Sequence, residues 1–243
     1  MIDIHAHILP GIDDGPTTMR EAVEMLRAAE QSGVRKIVAT PHFNPMYRWF
    51  NYRSDQLDAL YRELCREAKS NGLSIEIYPG MEIRASDEVP ELLSANRLQP
   101  YHDTRYLLVE FDNWESEQWC KKILNTLVSS GFIPVIAHPE RYEFVLDKPW
   151  MVYDWLEAGC EIQLTKASIL GRFGELIQDI SNDFLEREWV SFVASDAHGV
   201  DHRTPEMKSV YDFLSKYYSS DYATKLLHDN PQKLLLGQPL EKG

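Results

Sequence analysis

The sequence predicts an α/β protein whose parallel strands are joined by crossover helices and form a barrel. Three observations predict it. Short apolar segments with strand character alternate seven times with amphipathic helical segments. No linker or low-complexity stretch interrupts the series, so residues 1–243 are expected to form a single domain. His, Asp and Glu recur where the strand segments end, at His5, His7, His42, Glu82, Glu110, His138, Asp196 and His198. Such alternation gives parallel strands with helices between them, and barrels built this way carry their chemistry at the C-terminal strand ends.

The first strand starts at Ile2 and runs to His7. Side chains alternate along a strand, so His5 and His7 share one face and Ile2 and Ile4 the other. Two imidazoles so spaced can grip one divalent metal. A turn-rich stretch, Leu9-Pro10-Gly11-Ile12-Asp13-Asp14-Gly15-Pro16, follows. Thr18 with Glu21 three residues on reads as a capping box opening a helix. Ala22, Val23, Met25, Leu26 and Ala29 give that helix its apolar face, and Gly33 stops it. Lys36-Ile37-Val38-Ala39 is the second strand, broken by Pro41-His42. Residues 43–53 read as a loop mixing Phe43, Tyr47, Trp49, Phe50 and Tyr52 with Arg48 and Arg53, either an exposed binding lip or a segment folded back on the body.

A long helix runs from Ser54 to Asn71-Gly72, and the third strand runs from Ile75 towards Gly80-Met81-Glu82. The fourth strand covers 106–111, a helix covers 116–130, and the fifth strand, 133–137, ends in His138-Pro139. A helix over 149–158, a sixth strand over 160–164 and helical sequence in 167–188 come next. The seventh strand, 190–194, ends in Ser195-Asp196-Ala197-His198. Residues 204–239 read as helices with a break at Asn230-Pro231.

Composition narrows the function. At 44% hydrophobic and 26% charged residues the chain has the balance of a soluble protein with a full core. A formal charge of −13 disfavours nucleic acid as a partner. No apolar run is long enough to insert into a membrane, and no basic-then-apolar leader opens the chain, so a cytoplasmic location is expected. Cys65, Cys120 and Cys160 lie far apart with no CxxC pair and are expected to be reduced. None has an arginine six residues on, the position being Asn71, Thr126 and Lys166 respectively, which argues against a thiolate phosphatase loop.

In this order, His5-Ala6-His7, Thr40-Pro41-His42, Gly80-Met81-Glu82, Ala137-His138-Pro139 and Ser195-Asp196-Ala197-His198 resemble the motifs of the polymerase-and-histidinol-phosphatase (PHP) superfamily. Asp13-Asp14-Gly15-Pro16, Leu108-Val109-Glu110-Phe111 and His138-Pro139-Glu140-Arg141-Tyr142 most resemble its bacterial tyrosine-protein phosphatases of the CpsB/YwqE type. The resemblance implies a distorted (β/α)7 TIM-like barrel, the PHP fold, with a trinuclear metal site at the C-terminal strand ends. It implies that His5, His7, Glu82 and Asp196 hold one metal. Glu82 would bridge to a second, completed by Glu110 and His138, while Asp14, His42 and His198 hold a third. Three Mn²⁺ ions are expected, with iron, zinc, magnesium and cobalt as alternatives, because the carboxylates at Asp14 and Glu110, where many superfamily members have His, make the set more oxygen-rich.

The resemblance also implies that Arg141 and Arg203 bind phosphate, for which guanidinium forks are suited. Asp3 is expected to orient a ligand histidine from behind, and Asp13 either to do the same or to form a turn. His102, His202 and His228 read as ordinary surface or packing histidines. A water shared between divalent ions is acidified and can attack phosphorus in line. The implied activity is manganese-dependent hydrolysis of phosphotyrosine in proteins by a metal-activated hydroxide. The implied partner is the tyrosine-rich tail of a bacterial tyrosine kinase that regulates capsule or exopolysaccharide synthesis. A small-molecule phosphatase of the histidinol-phosphate type is the alternative enzyme, and a non-catalytic metal-bearing accessory domain is the alternative from another class.

Overall fold

The structure is a computed structural model that describes residues 1–241. β1 (Ile2–Ala6) leads through the turn-rich segment to α1 (Met19–Gln31). The capping box forms: the Thr18 hydroxyl accepts from the Glu21 N–H, and the Glu21 carboxylate accepts from the Thr18 N–H. β2 (Lys36–Ala39) follows, and Pro41 interrupts it because proline has no N–H for the ladder. Beyond Pro41 the sequence reading gave a loop. The chain instead re-enters a sheet as β3 (His42–Asn44), turns over Pro45–Tyr47 and returns as β4 (Trp49–Phe50), antiparallel to β3.

α2 (Asp55–Ser70) starts at Ser54, whose hydroxyl accepts from the Leu57 N–H. The third predicted strand is two short ones, β5 (Glu76–Pro79) and β6 (Glu82–Arg84), separated by Gly80-Met81. Only glycine fits at position 80, because a Cβ there would meet Val38 Cγ1 at 2.7 Å. α3 (Val89–Ser94), β7 (Tyr106–Glu110), α4 (Glu117–Ser129) and β8 (Ile133–Ala137) come next. α5 (Glu143–Asp147) and α6 (Met151–Glu157) lead to β9 (Glu161–Thr165). α7 (Lys166–Ile169) and α8 (Glu175–Glu186) lead to β10 (Phe192–Ala194).

α9 (Lys208–Tyr217), α10 (Ser220–Thr224) and α11 (Asn230–Leu235) complete the described residues. The break expected at Asn230-Pro231 is absent. The backbone stays helical from α10 into α11, and a π-helical turn over Lys225–Asp229 intervenes. A proline ring clashes with the carbonyl four residues earlier, and the wider turn accommodates it without ending the helix.

The strands lie in two sheets, β1-β2-β5 and β10-β9-β8-β7-β6-β3-β4, parallel throughout except for the β3–β4 hairpin. Each interrupted strand contributes to both sheets, β2 continuing as β3 and β5 as β6. Gly80 N–H bonds the Ala39 carbonyl and Glu82 N–H bonds the Pro41 carbonyl across the breaks. At the other edge, Asp196 N–H bonds the His5 carbonyl at 2.9 Å and His7 N–H bonds the Ala197 carbonyl at 2.8 Å. Two apolar clusters fill the body. One joins Ala22, Leu26, Ile37, Val109, Leu124, Ile136 and Ile162, and the other joins Ile2, Ile4, Val38, Leu108, Val135 and Phe192. The pairing of β1 with β2 shifts register between Asp3 and Ala6, yet His5 and His7 still turn to one side and Ile2 and Ile4 to the other, as the alternation predicts.

Candidate metal centre

His5 and His7 leave β1 fully buried, side by side, with their Nε2 atoms 3.2 Å apart. Each ring is held from behind. His5 Nδ1 contacts Gln163 Oε1 at 2.8 Å, and His7 Nδ1 contacts Asp13 Oδ2 at 2.9 Å. An acceptor at Nδ1 places the ring proton there and leaves a lone pair on Nε2. In the neutral ring forms the two Nε2 lone pairs would face each other, an arrangement that a cation between them stabilises. His198 repeats the pattern, its Nδ1 lying 3.1 Å from the Asp196 carbonyl while its buried Nε2 has no hydrogen-bond partner.

Glu82, at the start of β6, sits in the middle. Its Oε2 lies 3.2 Å from His5 Nε2, 3.2 Å from His7 Nε2 and 3.1 Å from His42 Nδ1. Its Oε1 lies 3.0 Å from His138 Nε2. Burial opposes ionisation here, but the surrounding imidazoles hold the Glu82 carboxyl well below the usual range. The same carboxylates act on the rings. Burial disfavours a charged His5, yet Glu82 and Asp196 raise its pKa to about 9. His42 rises to about 10 against the same burial penalty, through Glu82, Glu110 and Asp14. Partial burial opposes ionisation of Asp14 too, yet His198, His42 and His7 beside it bring it down to about 2.

Donor atoms fall into overlapping groups in which all lie within 4.8 Å of one another: His7 with Asp14, His42 and His198; His5 with His7 and Asp196; His5 with Glu82 and His138; His42 with Glu82 and Glu110. All nine sequence-expected ligands are thus brought together. Asp14 stands with His42 and His198, with His7 nearby, and Glu110 stands with Glu82 and His42. The donor set fits divalent cations on a further count. His42 Nδ1, Glu82 Oε2, Asp196 Oδ1 and His198 Nε2 are buried and meet one another or Asp14 and His5 at 3.1–3.4 Å without hydrogen-bond alignment, and a cation among them would satisfy such groups.

Asp196 divides its two oxygens. Oδ1 faces His5 Nε2 at 3.4 Å, while Oδ2 accepts from Arg141 Nη1 at 2.9 Å and Arg203 Nη2 at 2.5 Å. Both arginines therefore stand at one edge of the cluster, and about a third of each side chain remains exposed. His138, Asp196 and Arg203 all take left-handed backbone, with φ of 38°, 51° and 47°. Non-glycine residues held there store strain, which gathers at working sites. Above the cluster opens a cleft of about 390 Å³, whose lining includes Asp14, His42, Glu82, Glu110, His138, Arg141 and Arg203.

Asp13 does stand behind a cluster histidine. It also accepts from the backbone N–H groups of His42 and Gly15, each at 3.0 Å, so turn and ring are fixed together. Asp3 does not touch an imidazole. Its Oδ1 accepts from the Ser195 and His5 N–H groups, tying β1 to the chain beyond β10. Gln163 does for His5 what was expected of Asp3, and its only sequence signal is a lone amide inside an apolar strand. His102, His202 and His228 lie exposed, outside the cluster. The thiols of Cys120 and Cys160 are buried, which pushes both up to about 12.

Fold and cluster together define a mixed α/β protein with a histidine- and carboxylate-rich centre at the ends of its strands. The chain belongs to the CpsB/CapC family of capsular polysaccharide synthesis, whose model matches residues 1–236. It is 35% identical to the tyrosine-protein phosphatase YwqE of Bacillus subtilis, over 99% of this chain and 93% of that protein. It is 32% identical to the tyrosine-protein phosphatase CpsB of Streptococcus pneumoniae, over 98% of this chain and 99% of that one. Its fold matches a crystal structure from a study of YwqE and CpsB, described there as unique metal-dependent tyrosine phosphatases. The TM-score is 0.92 at 34% identity, covering 99% of this chain and 96% of that chain.

Proposed function

We propose that this protein is a metal-dependent protein-tyrosine phosphatase. The observation that carries the reading is the pair of Nε2 atoms of His5 and His7, 3.2 Å apart and converging with Glu82 and Asp196 carboxylate oxygens on one buried spot. Relatives that match nearly the whole chain and are named tyrosine-protein phosphatases support it. His5, His7, Asp14, His42, Glu82, Glu110, His138, Asp196 and His198 are the residues assigned to hold up to three divalent cations. The oxygen-rich set favours Mn²⁺ among them. When bound, such cations supply Lewis-acid activation of a water molecule and neutralise charge on the phosphoryl oxygens. We further read the two sheets as one distorted (β/α)7 barrel, on the strength of the hydrogen bonds that run from β1 to the residues following β10.

The chain's own residues do the rest. Gln163 and Asp13 fix the tautomer and direction of His5 and His7, so that donor atoms need no reorganisation when a cation enters. Arg141 and Arg203 hold the phosphate through N–H groups not used on Asp196, charge-assisted contacts that orient the phosphorus over the cluster. The leaving tyrosine has a pKa of about 10, so the phenolate departs without a dedicated acid. Cysteine chemistry is not used, because thiols raised by burial are poor nucleophiles. The substrate is phosphotyrosine in a protein, and the reading places the enzyme in the cytoplasm acting on the tyrosine-rich tail of a bacterial tyrosine kinase. Among the described residues no helix is long and apolar enough to cross a membrane.

The test is hydrolysis of a phosphotyrosine peptide against histidinol phosphate by chelated protein, before and after Mn²⁺ addition. Turnover of the peptide, lost on chelation and restored by Mn²⁺, is expected. Turnover of histidinol phosphate alone selects the small-molecule reading, and turnover of neither selects the accessory one.

A further inference from the structure

Two walls of the cleft take no part in the chemistry above. One is a stack of rings. Trp49 lies on His42 with centroids 4.8 Å apart and planes at 14°, and Tyr47 lies on Trp49 at 5.1 Å and 28°. The stack starts at the cluster and ends in solvent, where Tyr47 is 64% exposed. The other wall is the segment after β7, where Trp114 is 69% exposed. Tyr47 and Trp114 line the same cleft.

Both walls are braced. Asn51 Nδ2 bonds the Ile12 carbonyl at 3.0 Å and the His42 carbonyl at 2.8 Å, and Asn44 Oδ1 accepts from the Met46 N–H at 3.2 Å. Arg48 takes the left-handed conformation that closes the hairpin. On the β7 side, Arg84 of β6 pairs with Asp112 and with Glu115. Arg84 lines the cleft but spends its charge on those carboxylates, so it holds the Trp114 segment rather than a phosphate. Two large aromatic side chains are thus presented to water on fixed supports, over a polar floor. Large exposed apolar groups rimmed by polar residues mark binding surfaces.

From this arrangement we infer that Tyr47 and Trp114 clamp the phenyl ring of the substrate and set a preference for aryl over alkyl phosphate esters. The inference rests on the phosphatase reading and names its specificity determinants. A phosphate on a phenyl ring reaches the floor while the ring lies between the walls. A phosphate on a serine-like methylene that reaches equally deep draws peptide backbone into the aromatic zone and gains no stacking. A ring clamp acts equally in the bound substrate and the transition state, so it appears in KM and not in kcat.

The experiment measures kcat and KM for a phosphotyrosine peptide, and Ki for inorganic phosphate, on Mn²⁺-loaded wild type, Tyr47→Ala, Trp114→Ala and the double variant. Tyr47→Phe keeps the ring, and Trp150→Ala removes an exposed aromatic that does not line the cleft. An aromatic contact of ordinary strength corresponds to about a 2- to 12-fold loss. KM should rise by that factor for each single variant and by roughly the product for the double, with kcat held. The ratio of KM to phosphate Ki should rise in parallel, while Trp150→Ala stays near wild type and Tyr47→Phe, which keeps the ring, loses less than Tyr47→Ala. A double variant with a wild-type ratio overturns the clamp and leaves the phosphatase reading standing, since wild type still turns over the peptide. A wild type that does not hydrolyse the peptide with Mn²⁺ overturns both.

Discussion

The floor of the cleft and its rim are built on opposite principles. The floor is buried and charged. His5 and His7 are fully buried, Glu82 and Asp196 nearly so, and all stand on strands or immediately past their ends. The rim is exposed and aromatic, on the hairpin turn at 45–48 and the segment at 111–115. Desolvated ionisable groups need a rigid frame, because a misplaced buried charge costs far more than a misplaced surface ring. Loops held at one or two points suffice for a rim that has only to present surface. The difference teaches where a substitution matters: the deeper the side chain, the more of the cluster fails with it.

The floor should therefore show the largest effects. His138→Ala removes a ring whose Nε2 sits 3.0 Å from Glu82. It should abolish most phosphotyrosine hydrolysis and lower metal content, with the circular dichroism spectrum retained. A variant with normal metal content and near-normal turnover would put His138 outside the centre. Chelation of wild type should match or exceed that loss and reverse with Mn²⁺.

Between floor and rim stand the two arginines. Arg141→Ala and Arg203→Ala should each lower kcat/KM by about 10- to 100-fold, the effect of one charge-assisted hydrogen bond of about 1.5–3 kcal/mol. Metal content measured on the same samples should stay whole. Losses under twofold at both positions would show that their role ends at neutralising Asp196.

Behind the floor, Gln163→Leu deletes the acceptor at His5 Nδ1. Outer contacts of this kind are worth roughly 10- to 100-fold in metal affinity or activity. The expected signature is a higher Mn²⁺ concentration for half activation, with much of the turnover regained at saturation. Unaltered Mn²⁺ dependence would mean the ring is held by packing alone.

Outside both regions, the smallest effect is expected. Serine at Cys65, Cys120 and Cys160 together should leave kcat/KM within about twofold. Buried Cys120 and Cys160 should cost about 1–3 kcal/mol of stability each in denaturant unfolding, for a hydroxyl placed in an apolar site. A folded, metal-replete triple variant without activity would overturn the metal-centred reading.

The amino-acid order alone determined the alternation of strand and helix, the Thr18 cap, and which His, Asp and Glu residues stand at strand ends. These follow from local rules of period, capping and breaking, which short segments obey wherever they are placed. It also marked Arg141 and Arg203 through their motif. The tertiary structure alone decided the rest. Pro41 and Gly80-Met81 each divide one strand between two sheets, and that is visible only once neighbouring strands supply partners for the interrupted ladders. Gln163, not Asp3, holds His5, because the contact spans 158 residues and depends on where the sheets place β9 relative to the first strand's end. The ring stack from His42 to Tyr47 needs the hairpin that a loop reading leaves out. Periodicity encodes the face a side chain takes on its own element, while its partner on another strand is set by register, bulges and strand order, which no local pattern carries.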